Sequence, residues 1–221
     1  MVKKSSPQPH RKIVARIPKE QFKKDLAKYC DSAIEMGATK TKIISSKEII
    51  IDERVRAKCT YPRCRFHGTN AHCPPYAMEL PDVRLLLKKY ECGIFFDIEV
   101  PTDVLAGPDA LKDRAYVPSG LNAYKIVGKI EADAFYDGYH LALGFGVGPC
   151  KPYFCPNDQC IALEVGKACK HPLRARASME SMGIDVFIMA ANAGWDIFSI
   201  GGSTAPDDVP VGHRLGLILI R

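Results

Sequence analysis

The sequence predicts an α/β or α+β single layered domain: a central mixed sheet, helices packed on it, and two cysteine-rich metal-binding loops. Three observations lead there. Segments with helical periodicity alternate with short β-branched or aromatic runs, which favours helices layered on a sheet. The chain has 221 residues, enough to bury a real core. Seven of its nine cysteines fall in two stretches rich in proline and glycine, where no period is sustained. Residues 1–17 read as a basic tail with an extended entry. Residues 18–221 read as a single metal-binding domain, because no break in composition asks for two.

Each element has its own signal. Pro18 opens a helix that Gly37 stops, with Phe22, Leu26, Cys30, Ala33 and Ile34 along one face. Lys42–Ser45 and Glu48–Asp52 are β-branched runs that read as two paired strands. Cys59–Tyr76 holds Pro62, Gly68, Pro74 and Pro75 and reads as an ordered loop. Asp82–Tyr90 is a helix turning Val83, Leu86, Leu87 and Tyr90 inward, and Gly93–Val100 is a buried strand. Pro101–Pro118 is a polar connection suited to contacting a partner. Leu121–Tyr136 is a second long helix ended by Gly138, and Tyr139–Phe145 a strand. Gly144–Lys170 is the second cysteine-bearing loop. Ser178–Met182 and Val186–Ala193 are helical, separated by Gly183, with Asp185 as N-cap and Gly194 just past the end. His213–Ile220 closes the sheet.

Composition excludes several classes. Apolar residues make up 47% and charged residues 25%, which is ordinary for a globular chain and unlike a disordered one. Met1–Pro18 has no apolar stretch of the kind a secretory signal carries. No run reaches the roughly 18 apolar residues of a membrane span; Met179–Ile200 comes nearest and is interrupted by Glu180, Asp185, Asn192 and Asp196. The expected compartment is therefore the reducing cytoplasm, where clustered cysteines bind metal more often than they pair. Net charge is +6, of which Lys3, Lys4, Arg11 and Lys12 supply four with no acid among the first twelve residues. A solvated terminus explains that tail more simply than a nucleic-acid contact.

The cysteines carry the chemistry. Cys59, Cys64 and Cys73 form C-x4-C-x8-C, and Cys150, Cys155, Cys160 and Cys169 form C-x4-C-x4-C-x8-C. The residues between them do not match, so the shared spacing marks no duplicated unit. Thiolates are soft ligands that select zinc, Cu(I) or iron–sulfur clusters. Zinc knuckles bring cysteines in closer pairs, whereas a larger iron–sulfur cube suits a looser loop with neighbouring prolines. Cys73-Pro74-Pro75, Pro149-Cys150 and Cys155-Pro156 provide those prolines, and Gly144, Gly146 and Gly148 would let backbone N–H groups approach sulfur. The four-cysteine loop reads as one 4Fe–4S cluster, with zinc as the alternative. The three-cysteine loop reads as a second cluster whose fourth ligand is Cys92, His67, His72, a residue elsewhere, or none. An iron without a protein ligand would be open to substrate. Cys30 and Cys92 read as core residues.

Arg54, Arg56, Lys58, Arg63 and Arg65 flank the first loop, and Lys151, Lys167, Lys170, Arg174 and Arg176 the second. They read as a solvated basic rim, or as cations holding an anionic cluster, substrate or partner. His72 and His171 adjoin cluster cysteines and read as structural or proton-donating side groups. Glu180 and Asp185 read as helix-capping. The P-loop, dinucleotide, hydrolase and zincin signatures all fail.

Val55-Arg56-Ala57-Lys58-Cys59, Cys73-Pro74-Pro75-Tyr76, Gly148-Pro149-Cys150, Cys169-Lys170-His171-Pro172, Ser178-Met179-Glu180 and Gly183-Ile184-Asp185-Val186 occur in that order. As an ordered set they resemble a bacterial and archaeal family of predicted metal-binding proteins of unknown function. The resemblance implies that Cys59, Cys64, Cys73, Cys150, Cys155, Cys160 and Cys169 are the ligands and that iron–sulfur is the cofactor. Relative to that pattern, Pro152–Phe154 and Ile161–Ala168 lengthen the second loop. The expected role is electron transfer or cluster-based redox or sulfur chemistry, with a redox partner or a larger enzyme complex. The alternatives are a zinc-stabilised binding module and a cluster-bearing subunit or maturation factor; a membrane span is not expected and a nucleic-acid partner is disfavoured.

Overall fold

A computed structural model describes residues 10–107, 110, 114–201 and 203–221. Lys3 and Lys4 of the basic tail, and some of the Pro101–Pro118 connection, lie outside the described residues. The elements in chain order are α1 (Lys19–Glu35), β1 (Lys40–Ser45), α2 (Glu53–Ala57), α3 (Leu80–Leu87), β2 (Cys92–Val100), α4 (Tyr116–Tyr136), β3 (Leu143–Phe145), α5 (Lys151–Phe154), α6 (Val186–Asn192) and β4 (Gly212–Leu219). The sheet runs β1-β2-β4-β3. Every strand pair is antiparallel, where a mixed sheet was expected. The lone parallel contact among the described residues is a single bridge between Gly146 and Ser178, outside the strands.

Register explains the layers. Along β2, Ile94, Phe96, Ile98 and Val100 join Ile218 and Ile220 in one core with α1 and α4. Phe95, on the other face, joins Leu215, Leu217 and Leu219 in a second core with α3 and α6. A strand covered on both faces reads as a nearly continuous apolar run, as Gly93–Val100 does. Among the described residues no helix is long and apolar enough to cross a membrane.

Several expectations are corrected. Glu48–Asp52 forms no strand. Ser45 Oγ accepts from Lys47 N (3.3 Å) and Glu48 Oε2 accepts from Ser45 N (2.7 Å), a reciprocal cap that starts a helical turn. Only Ile51 touches another segment in strand fashion, bridging Ile184. The strand expected over Tyr139–Phe145 shrinks to three residues, and Ser178–Met182 contributes one tight turn over Glu180–Met182. On α1, Ile34 is exposed, and Asp25 and Tyr29 are buried instead. Arg11 is not a solvated tail residue. Its guanidinium holds Asp25 at 2.5 and 3.0 Å, and its backbone N donates to Tyr136 O. Gly183 does separate the two helical segments, at φ +75°, and Asp185 caps α6 by accepting from Ile188 N (3.1 Å).

Candidate metal centre

The first cysteine loop is built from consecutive tight turns. Asp52 caps α2 by accepting from Arg54 N (2.7 Å). Beyond α2, Cys64 N donates to Cys59 O, His67 N to Cys64 O and Ala77 N to Cys73 O. Arg56 fastens the loop's exit, donating to Ser181 O (2.5 Å) and Met78 O (3.1 Å). It is therefore a structural clamp and does not belong to a solvated rim.

The second loop leaves β3 and is fastened to α4. Tyr124 Oη donates to Gly148 O (2.9 Å) and Arg176 O (3.3 Å). Glu131 accepts from Gly144 N and takes both Arg176 Nε (2.8 Å) and Nη2 (3.0 Å), tying the loop's entry to its exit. A Cβ on Gly146 would lie 2.2 Å from the Tyr124 ring. That glycine therefore admits the tyrosine, and the structure gives it no N–H to sulfur. The backbone donor that does reach sulfur is His171 N, 3.3 Å from Cys169 Sγ.

The two loops meet. Cys150 Sγ lies 3.7 Å from Asn70 Oδ1 and 3.4 Å from His72 Nδ1. Asn70 is buried and its Oδ1 also accepts from His72 N (3.0 Å). Cys73 and Cys150 are the buried thiols of this junction; Cys59, Cys64, Cys155, Cys160 and Cys169 are half-buried. Burial pushes the Cys150 thiol up to about 12, and its neighbours Cys73, Cys160, Cys169 and Cys155 add to the shift. Burial raises Cys73 too, opposed by a hydrogen bond with Asn70. Burial, then the charge of Arg176, holds His72 below the ordinary histidine range. All nine cysteines are free.

Cys92 and Cys30 sit with the α1–α4 core, so Cys92 is not a fourth partner for the first loop. His72 turns to the second loop's Cys150 rather than to Cys59 or Cys64. Most rim cations are engaged: Arg54 with Asp52, Lys167 with Glu164, Lys170 with Asp158, and Arg65 and Arg174 over the Phe66 and Phe154 rings. Burial raises the Glu180 carboxyl, opposed chiefly by its own backbone N–H.

Sequence reasoning missed one group. Asp97, Glu99 and His213 each offer a ligand atom, all within 4.8 Å of one another. Two carboxylates inside the buried run Phe95–Val100 were the signal, since charges are seldom buried without a partner.

Thiols gathered from two distant loops, none in a disulfide, belong to the chemistry of metal-binding proteins. Residues 42–220 match the model of a family described as predicted metal-binding protein (DUF2284), and the chain belongs to that family. No curated protein and no solved structure matches it.

Proposed function

We propose that this protein carries one or two 4Fe–4S clusters on its loop cysteines and works in electron transfer or cluster-based redox or sulfur chemistry. The observation that carries the reading is the meeting of two loops that together hold seven free thiols, Cys150 of the second lying against Asn70 and His72 of the first. Seven soft ligands exceed the four that one tetrahedral zinc takes, and their loose spacing with neighbouring prolines suits a cube.

Cys59, Cys64 and Cys73 would hold one centre and Cys155, Cys160 and Cys169 the other, with Cys150 at the junction available to either. A bound cluster would supply one-electron transfer. The protein's own role is to keep Cys73 and Cys150 buried, to position them through Asn70, and to aim the His171 N–H at Cys169 Sγ. Such a donor stabilises sulfur charge and raises a cluster's potential. The electrons require a redox partner or a larger enzyme of which this chain is a subunit, in the cytoplasm.

Anaerobic purification tests the reading. The expected product is brown, absorbs broadly near 400 nm, and contains iron and acid-labile sulfide in equal amounts, about four or eight of each per chain. A colourless protein with stoichiometric zinc overturns it in favour of a zinc-stabilised module.

A further inference from the structure

We propose a second metal site, separate from the cysteine loops, in which Asp97, Glu99 and His213 bind a divalent first-row transition ion that oxygen and imidazole ligands suit, such as manganese(II). The site follows from strand register. Glu99 and His213 are direct partners across β2 and β4, and Asp97 lies two residues from Glu99 on the same face. Three ligand atoms therefore converge within 4.8 Å on rigid backbone rather than on loops.

Two unmet polar atoms point to a missing ligand. Asp97 is 0% exposed and the His213 side chain 5%, and they bond to each other through Asp97 Oδ2 and His213 Nδ1 at 2.7 Å. Asp97 Oδ1 and His213 Nε2 are buried with no hydrogen-bond partner. Buried polar atoms left unpaired are costly and uncommon.

The charge balance agrees. Lys40 Nζ pairs with Glu99 at 2.5 Å, and the carboxylates of Asp97 and Asp196 also act on it. Asp97 and Glu99 are the two carboxylates of the site itself, and the Lys40 side chain is 35% exposed, free to swing out. One divalent ion would neutralise what remains. One nitrogen and two oxygens form a donor set for manganese and its neighbours, and thiolates compete for manganese poorly.

The test is manganese(II) titration of the full chain, read by loss of the free-ion electron paramagnetic resonance signal. The expected result is one ion per chain. His213→Gln and Asp97→Asn each weaken binding at least tenfold, and Lys40→Gln, by removing the resident cation, tightens it several-fold. Should Asp97→Asn fail to fold by circular dichroism, Glu99→Gln, on the exposed side, is expected to show the same tenfold loss. Unchanged affinity in a folded His213→Gln protein overturns the proposal, as does no uptake by either wild type or Lys40→Gln. Iron and sulfide content of the same samples reports separately on the cysteine loops.

Discussion

Between Cys59 and Cys73 the chain is held mainly by its own turns, whereas the ends of the segment from Cys150 to Cys169 are fastened to a helix that precedes it. The first loop closes through Cys64 on Cys59, His67 on Cys64 and His72 on Asn70. The second makes local turns too, but its position depends on Tyr124 and Glu131 of α4, and its outer stretch leaves Val165 fully exposed. Similar cysteine spacing thus rests on different supports. The two loops share a boundary at Asn70, His72 and Cys150, so that boundary is where one loop can feel a change in the other.

The largest effect is expected from Cys150→Ser. If the boundary is shared, it lowers the metal content of both loops, so that less than half the wild-type iron per chain remains. Cys160→Ser removes only the second loop's share. Equal losses in the two variants would show that Cys150 serves the second loop alone. Next comes Gly146→Ala, whose Cβ would meet the Tyr124 ring at 2.2 Å. Overpacking of this kind costs about 1–3 kcal/mol. Denaturant unfolding should register it, with faster proteolysis of the second loop and none of the first.

Tyr124→Phe keeps the ring and removes the hydroxyl bonded to Gly148 O and Arg176 O. A loss of about 1 kcal/mol is expected from the same unfolding measurement. An unchanged midpoint would mean that Glu131 and Arg176 hold the loop unaided. The smallest effect is expected from Cys92→Ala, which touches neither loop and should leave metal content at the wild-type value. A fall in iron on that substitution would break the division of the cysteines into loop and core.

How far sequence could anticipate this molecule depends on the range of the contacts involved. Helices α1, α4 and α6 each bury one stripe or carry a clear cap, so local periodicity and Asp185 were enough to place them. Ile49–Ile51 looked like a strand because the residues are β-branched, yet the Ser45–Glu48 cap turns the chain before any ladder can form. The cysteine spacing drew attention to both loops. That Cys150 would face Asn70, 80 residues earlier, is a long-range outcome carrying no local signal. The same holds for Asp97 and His213, which are 116 residues apart and become neighbours only when β4 pairs with β2. The glycines before Cys150 misled for another reason: Gly146 answers to a tyrosine on α4, and only packing reveals that.

The strand order β1-β2-β4-β3 has a consequence for assembly in time. Among the described residues β3 pairs with β4 alone, and β4 is the last strand of this sequence while standing inside the sheet. During synthesis both cysteine loops emerge before the strand on which the entrance to the second one docks. Non-local pairing of this sort is also slow to form. The strand from which the second loop departs is therefore fixed in the sheet only once β4 has paired.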